Sequence, residues 1–302
     1  MKNGRNRIDG RRQWLRRTLV VPYAWLLLFF LAPFFIVLKI SLAEPLVALP
    51  PFTPLIDWAA TGWARLQVTL DNYLFVFQDR YYVTIYLNSL KMAAASTVLC
   101  LLLGYPMAYF IARQPPARRN FLLLAVILPF WISFLLRVYA WIGLLNSNGV
   151  INQLLLWVGL IDQPLALIYN DFAVYLGIVY SYLPFMILPL YASLEKRDPD
   201  LEDAAADLGA KRWQVFRDVT LPLSWPGIVA GSLLVFIPAI GEYIIPALLG
   251  GADTLMIGRA LWDEFFSNRD WPVASAVSVV LLLLLVLPMM WFQKVQREGL
   301  AR

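Results

Sequence analysis

"LEDAAADLGAKRWQVFRDVTLPLSWPGI", Leu201 to Ile228, crowds acids, alanines and bases into a short segment between two long apolar runs. Asp198 followed by Pro199 has the form of a helix start, an acceptor at the N-cap and proline at the first helical position. Asp200, Glu202 and Asp203 then put negative charge beside the positive end of the helix dipole. Gly209 fits the stop. Leu201, Ala204, Ala205 and Leu208 fall at i, i+3, i+4 and i+7, one narrow face with small residues at its centre that another surface can approach closely. A second helical stretch is expected over 211–219, carrying Trp213 and Phe216, and Pro222 is expected to break the chain before Ser224 restarts it. The segment reads as a helix-turn-helix held between two apolar runs. By pattern alone it docks on lipid or on protein.

The rest of the chain says what those runs are. Hydrophobic residues make up 60% of the 302 and charged ones only 15%, far more oil than a soluble domain needs. Apolar stretches of about 20 residues, the length of helix that crosses roughly 30 Å of hydrocarbon, recur along the sequence. Six spans are expected, at about 19–41, 84–112, 121–145, 172–194, 225–249 and 272–292, so the fold class is an all-α polytopic membrane protein. The runs are continuous rather than alternating, which excludes a β-barrel. Pro184 and Pro189 in the fourth span, and Pro238, Pro246, Gly231 and Gly241 in the fifth, are read as interruptions of cavity-lining helices. Such interruptions also suit a secondary transporter or a channel.

Orientation follows from Lys and Arg, which stay inside when loops are short. Before Leu19 stand Lys2, Arg5, Arg7, Arg11, Arg12, Arg16 and Arg17; the hairpin "RQPPARRN" carries Arg113, Arg118 and Arg119. Lys196, Arg197, Lys211, Arg212 and Arg217 flank or occupy the opening segment, and Lys294, Arg297 and Arg302 the C-terminus. The other loops hold Arg65, Arg80, Arg259 and Arg269. The expected organisation is therefore a cytoplasmic basic tail over 1–18, a six-span domain over 19–293 with a cytoplasmic loop at 198–223, and a second cytoplasmic tail over 294–302. The net charge of +5 faces anionic membrane lipid and requires no nucleic acid. Outside, "GVINQLLLWVGLIDQP" places Val150, Leu154, Leu155 and Val158 at helical spacing, an interfacial plug packed on the bundle or a contact for an external partner. A cleaved signal peptide ending near "SLA" at Ser41–Ala43 is disfavoured by the length of the first apolar run.

Chemistry inside the spans is sparse. The chain has no histidine and a single cysteine, Cys100, and it lacks G-x-x-x-x-G-K-[ST], so metal, Cys/His and nucleotide-phosphate chemistry are not written in it. Lys39 and Lys91 read as anchors near helix ends. Arg137 and Glu242 lie deeper and face protein or water, either as a structural ion pair or apart.

"DAA" at Asp203–Ala205, three residues, Gly209, nine residues, Val219, one residue, then Leu221 and Pro222 resembles the signature loop of ABC-importer permeases, E-A-A, three, G, nine, I, one, L-P. Asp203 stands for the usual Glu and Val219 for Ile. "LNSLKMAAASTVLCLLLGYPMAYFIAR" from Leu87, "LPFWISFLLRVYAWIGLL" from Leu128 and "GEYIIPALLGGADTLMIGRALWDEFFSNRDWPVASA" from Gly241 are similar to the spermidine/putrescine branch, most closely its putrescine side. The resemblance implies a type I ABC-importer permease fold in a bacterial inner membrane, with ATP bound by a partner and no cofactor of its own. It implies a second permease subunit, two ATP-binding subunits, a periplasmic substrate-binding protein and a polyamine cargo. Asp203, Ala204, Ala205, Leu208 and Gly209 would then form a coupling helix seated on the ATPase. For the polyamine's ammonium groups the path would offer the carboxylates and aromatic faces of Glu242, Tyr243, Trp262, Asp263 and Glu264.

The charge pattern makes a direct prediction. A cysteine placed at Ala206 resists an impermeant thiol reagent in intact cells and reacts once the membrane is opened. Ready labelling from outside would invert the topology.

Overall fold

The computed structural model describes residues 19–54, 56–58, 64–198 and 200–299. In chain order its elements are α1 (Leu19–Ser41), β1 (Ile56–Trp58), β2 (Ala64–Leu66), α2 (Asp71–Gln78), α3 (Arg80–Ala112), α4 (Pro116–Ile127), α5 (Phe134–Leu145) and α6 (Val150–Trp157). They continue with α7 (Asp171–Glu195), α8 (Asp200–Asp207), α9 (Arg212–Ile240), α10 (Ile244–Leu249), α11 (Ile257–Trp262) and α12 (Trp271–Gly299). By length and composition α1, α3, α7 and α9 can each cross a bilayer; Phe134–Trp157, which takes in α5 and α6, is a further such stretch, and α12 has a shorter apolar one at Trp271–Val286. The two basic tails lie outside the described residues, except that α12 runs on to Gly299.

The chain forms two compact units, one drawn from Met1–Asp79 and Leu261–Arg302, the other from Arg80–Ala260. In the first, α12 packs along α1 and α2. β1 and β2 pair antiparallel as a short ribbon, with Asp57 opposite Arg65. The buried Asn72 of α2 donates to the carbonyls of Ser41 (2.9 Å) and Ala43 (2.8 Å), which end α1 without intrahelical partners. Ser41 Oγ also lies 2.6 Å from Tyr73 Oη. A segment that reads in sequence only as aromatic is thus the cap of the first span.

In the second unit α7 packs between α3 and α9. Its core gathers Cys100 and Ala108 of α3, Met186, Ile187 and Leu190 of α7 and Val235 of α9. Without water to drive helices together, close backbone approach and dispersion must hold them, so small residues sit at the crossing. A Cβ at Gly227 would stand 2.6 Å from Ser193 Cβ and 2.9 Å from the Pro189 carbonyl oxygen; one at Gly231 would stand 2.8 Å from Met186 Sδ. These glycines are there for contact, not for a turn.

Several expected breaks move. The third span is not one helix over 121–145: α4 passes through a 3-10 turn at Leu128–Trp131, Ile132 and Ser133 are extended, and α5 begins afresh. Pro129 has no N–H to continue the i→i−4 ladder, and Ser133 accepts from Arg137 N (3.2 Å) at the new start. The fourth span is continuous through Pro184 and Pro189, and the fifth through Pro238. Nor does Pro222 break the chain. It occupies the first turn after a π-helical stretch at Phe216–Thr220, and the helix runs on from Arg212 to Ile240. Of the interruptions expected in the fifth span, Gly231, Pro238 and Pro246 lie within helices and the one at Gly241 is real, with the break at Gly241–Tyr243. The basic hairpin turns at Arg113–Pro115, so Arg118 and Arg119 already belong to α4.

α6 departs further from expectation. Val150, Leu154 and Val158 are exposed, and the buried residue is Asn152. Its amide donates to the carbonyls of Asn146 (3.2 Å) and Leu165 (3.0 Å) and accepts from Leu165 N (2.8 Å). Orphan backbone groups draw the polar side chain inward, and the apolar face is left outside.

Gly231→Leu should force α7 and α9 apart and lower stability by about 1–3 kcal/mol, as overpacking does. Thermal unfolding of the detergent-solubilised protein checks this against Gly143→Leu, where an added Cβ meets nothing within 4 Å. Equal melting temperatures for the two variants would refute the close-contact reading.

Candidate functional site

The loop between α7 and α9 is built by local chemistry. Asp198 Oδ1 accepts from Asp200 N (3.1 Å), and its carbonyl accepts from Leu201 N (3.3 Å), which sets the start of α8. At the other end Gly209 has φ +87°, a conformation glycine adopts cheaply, while Ala210 N donates to Ala205 O (3.2 Å) and Gly209 N to Ala206 O (2.9 Å). That is a Schellman stop. Gln214 Oε1 accepts from Lys211 N (2.8 Å) and opens the next helix.

The residues expected to couple stand together on this short element. Asp203, Ala204, Leu208 and Gly209 are exposed, Ala205 is half-buried, and Leu208 reaches 90% exposure; Leu201 and Trp213 are also exposed.

Glu202, one residue before Asp203, points the other way. Its side chain is 15% exposed and ion-paired with both Arg113, just past α3, and Arg197, just past α7. Thr220 of α9 donates to Oε1 at 2.6 Å. Arg197 also donates from Nε to Leu194 O (3.3 Å), and its guanidinium and that of Arg113 lie 5.9 and 4.3 Å from the centroid of the Tyr109 ring. Phe216 meets Tyr105 and Tyr109 edge-on, and Tyr105 Oη lies 2.9 Å from Ser224 Oγ. Burial works to raise the Glu202 carboxyl, but the hydrogen bonds from Thr220 and Arg197 and the charges of Arg197 and Arg113 outweigh it and hold the group below the usual carboxylate range. Nothing in the local pattern distinguishes the acid that turns inward. Only the meeting of three distant segments decides it.

The second site is the break in the fifth span. Glu242 is 8% exposed, and its carboxylate accepts from Tyr182 Oη and from the backbone N–H of Ile244 (3.0 Å) and Ile245 (3.4 Å). It therefore restarts the helix as α10, which packs on α5 and α7. The alternative of an Arg137–Glu242 ion pair is not realised: no such pair occurs among the described residues. Arg137, also 8% exposed, lies 5.1 and 5.5 Å from the ring centroids of Phe130 and Phe134, with Nε and Nη1 lacking acceptors.

Tyr243 is the half-buried neighbour in the break. Trp262, Asp263 and Glu264 are in the other compact unit and on a helix rather than in a loop: α11 passes into a π-helical turn at Asp263–Ser267. There Glu264 accepts from Asn268 Nδ2 (2.9 Å), and Trp262 packs 4.1 Å from the centroid of Phe266. Lys91, read as an anchor, helps wall a polar cavity of about 50 Å³ with Asn88, Asp171, Tyr175, Asp253 and Thr254.

The long apolar helices and the capped loop before the fifth span form the fold of an ABC-importer permease. The crystal structure of a bacterial ABC transporter involved in import of the acidic polysaccharide alginate shares the fold, with a TM-score of 0.65 at 19% identity over 97% of this chain and 99% of that one. The chain belongs to the family of binding-protein-dependent transport system inner membrane components, whose pattern matches residues 101–301. It is 42% identical over 236 residues to the spermidine/putrescine transport system permease protein PotB of Salmonella typhimurium (strain SL1344), covering 78% of this chain and 82% of that one. To PotB of Haemophilus influenzae it is 38% identical over 270 residues, 89% and 90% of the two chains.

The lowered Glu202 carboxyl sets a pH dependence. Its stabilisation of α8 is fully present above the ordinary carboxylate range and is lost as pH falls through its depressed value. Backbone hydrogen exchange over 200–207, corrected for intrinsic rate, should stay slow through mildly acidic pH and rise only in stronger acid. Loosening that begins above the ordinary carboxylate range would contradict the pairing.

Proposed function

We propose that this chain is the permease subunit of an ATP-driven polyamine importer, putrescine among its cargo. It forms half of the translocation pathway beside a second permease subunit. Two ATP-binding subunits dock on α8 through Asp203, Ala204, Ala205, Leu208 and Gly209, and a periplasmic binding protein delivers the substrate from outside. Both termini and the 198–223 loop lie in the cytoplasm of a bacterial cell. The observation that carries this reading is the 42% identity to a spermidine/putrescine permease over most of the chain.

Glu242 supplies the chemistry. Its partners Tyr182 Oη and the N–H groups of Ile244 and Ile245 are neutral donors, so they orient the carboxylate without cancelling its charge. A buried carboxylate so held favours a cation, and a polyamine is a flexible chain of ammonium groups. Tyr243, and Trp262 with Asp263 and Glu264 on their own helix, extend the path as weak, spaced sites. Aromatic faces contribute about 0.5–2 kcal/mol each to a bound cation. Weak sites release; one deep pocket would stall the cargo.

Glu242→Gln keeps an acceptor for Tyr182 and the α10 backbone but removes the charge. In proteoliposomes holding the whole complex, polyamine uptake should fall about tenfold, roughly 1.4 kcal/mol of lost stabilisation, with the complex intact. Arg137→Gln should not reproduce this. Uptake unchanged by Glu242→Gln would take the residue out of the path.

A further inference from the structure

We propose that Glu202 is a positioning residue: it locks α8 to the cytoplasm-facing ends of α3, α7 and α9, so that a push on α8 moves three spans together. This rests on the reading that α8 docks on an ATPase, and adds how the motion leaves the docking helix.

The assignment comes from geometry. Asp203 is exposed and keeps its carboxylate for a partner, whereas the adjacent Glu202 is nearly enclosed and spends both oxygens inward. Its donors come from segments far apart in sequence, Arg113 after α3, Arg197 after α7 and Thr220 within α9. Arg197 is itself only 10% exposed and is anchored to the last turn of α7 through Leu194 O. An exposed pair of this kind is worth little. Arg113, 52% exposed, adds little by itself, but the Arg197–Glu202 pair is largely enclosed, and both guanidiniums share one carboxylate and one aromatic ring, Tyr109, so removing the carboxylate leaves two like charges close together. α8 cannot pivot freely without making that exchange.

The caps of α8 are independent of Glu202, since Asp198 and Gly209 set its ends. Losing the Glu202 charge should therefore leave a helix that still docks but no longer drags the spans with it. ATP would be spent without import.

The test uses the full complex, with both permeases, the ATPase and the binding protein, in proteoliposomes loaded with ATP. Substrate imported per ATP hydrolysed is read together with retention of the ATPase during purification. Glu202→Gln should keep ATPase retention and hydrolysis within about twofold of the parent while import per ATP falls at least about fivefold, the scale of a typical coupling free energy. Exchanging the charges, Glu202→Arg with Arg197→Glu, should recover part of the lost ratio, which a merely misfolded loop would not. Thr220→Val, which removes a donor without touching charge, should lower the ratio less. An unchanged ratio in Glu202→Gln overturns the proposal. So does loss of ATPase retention equal to that of Asp203→Asn, which would make Glu202 a docking contact. If Asp203→Asn and Leu208→Glu both leave retention intact, the docking reading itself falls and this proposal with it.

Discussion

Two guanidiniums, Arg113 and Arg197, converge on the single carboxylate of Glu202 where the spans leave the membrane. Glu202 and Arg197 are largely out of water, at 15% and 10% side-chain exposure, while Arg113 stays half in solvent; the cost of desolvating the inner pair is offset only if its lone pairs and protons find partners. The surroundings meet that condition: Thr220 fills a remaining acceptor site, Leu194 O takes Arg197 Nε, and the Tyr109 face receives the excess positive charge. Because the donors come from the ends of α3, α7 and α9, the same constraint that neutralises the charge also fixes where α8 lies. Asp203 is left outside, together with Leu208, Ala204 and Ala206.

Two carboxylates of the second unit, the buried Glu242 and the largely enclosed Glu202, are handled in opposite ways. Glu202 is surrounded by resident cations and is structural by saturation. Among the described residues Glu242 accepts from neutral donors, a phenol and two backbone N–H groups, and forms no ion pair. Arg137 completes the contrast. It sits against the faces of Phe130 and Phe134 rather than against Glu242, so the membrane-embedded carboxylate is not quenched from within. Cation and anion are each desolvated, yet kept apart.

Between these sites runs a close helix–helix contact, where Gly227 and Gly231 of α9 meet Pro189, Ser193 and Met186 of α7. α9 carries Thr220 of the Glu202 cluster near one end and leads into the Glu242 break at the other. Backbones in direct contact slide or move together; they do not deform gradually, because close-packed interiors have little room to yield. The helix that touches the loop is thus the helix that places the carboxylate.

What the sequence determined by itself was whatever short-range chemistry encodes. The apolar runs made a polytopic helical protein, and the Asp198 and Gly209 caps made α8, because an N-cap acceptor and a left-handed glycine act on neighbours only a few residues away. The spacing from Asp203 to Pro222 pointed to the permease family to which the chain belongs. Tertiary structure decided the rest. Proline broke the third span near Pro129 but left the fourth continuous at Pro184 and Pro189, since a lost backbone hydrogen bond is tolerated where neighbouring helices re-satisfy it. Which of two adjacent acids turned inward, whether Arg137 met Glu242, and why Asn152 rather than Val150 was buried each depended on groups distant along the chain. Local pattern lists the polar groups, but their partners are chosen only when packing removes water and makes an unpaired charge or amide costly.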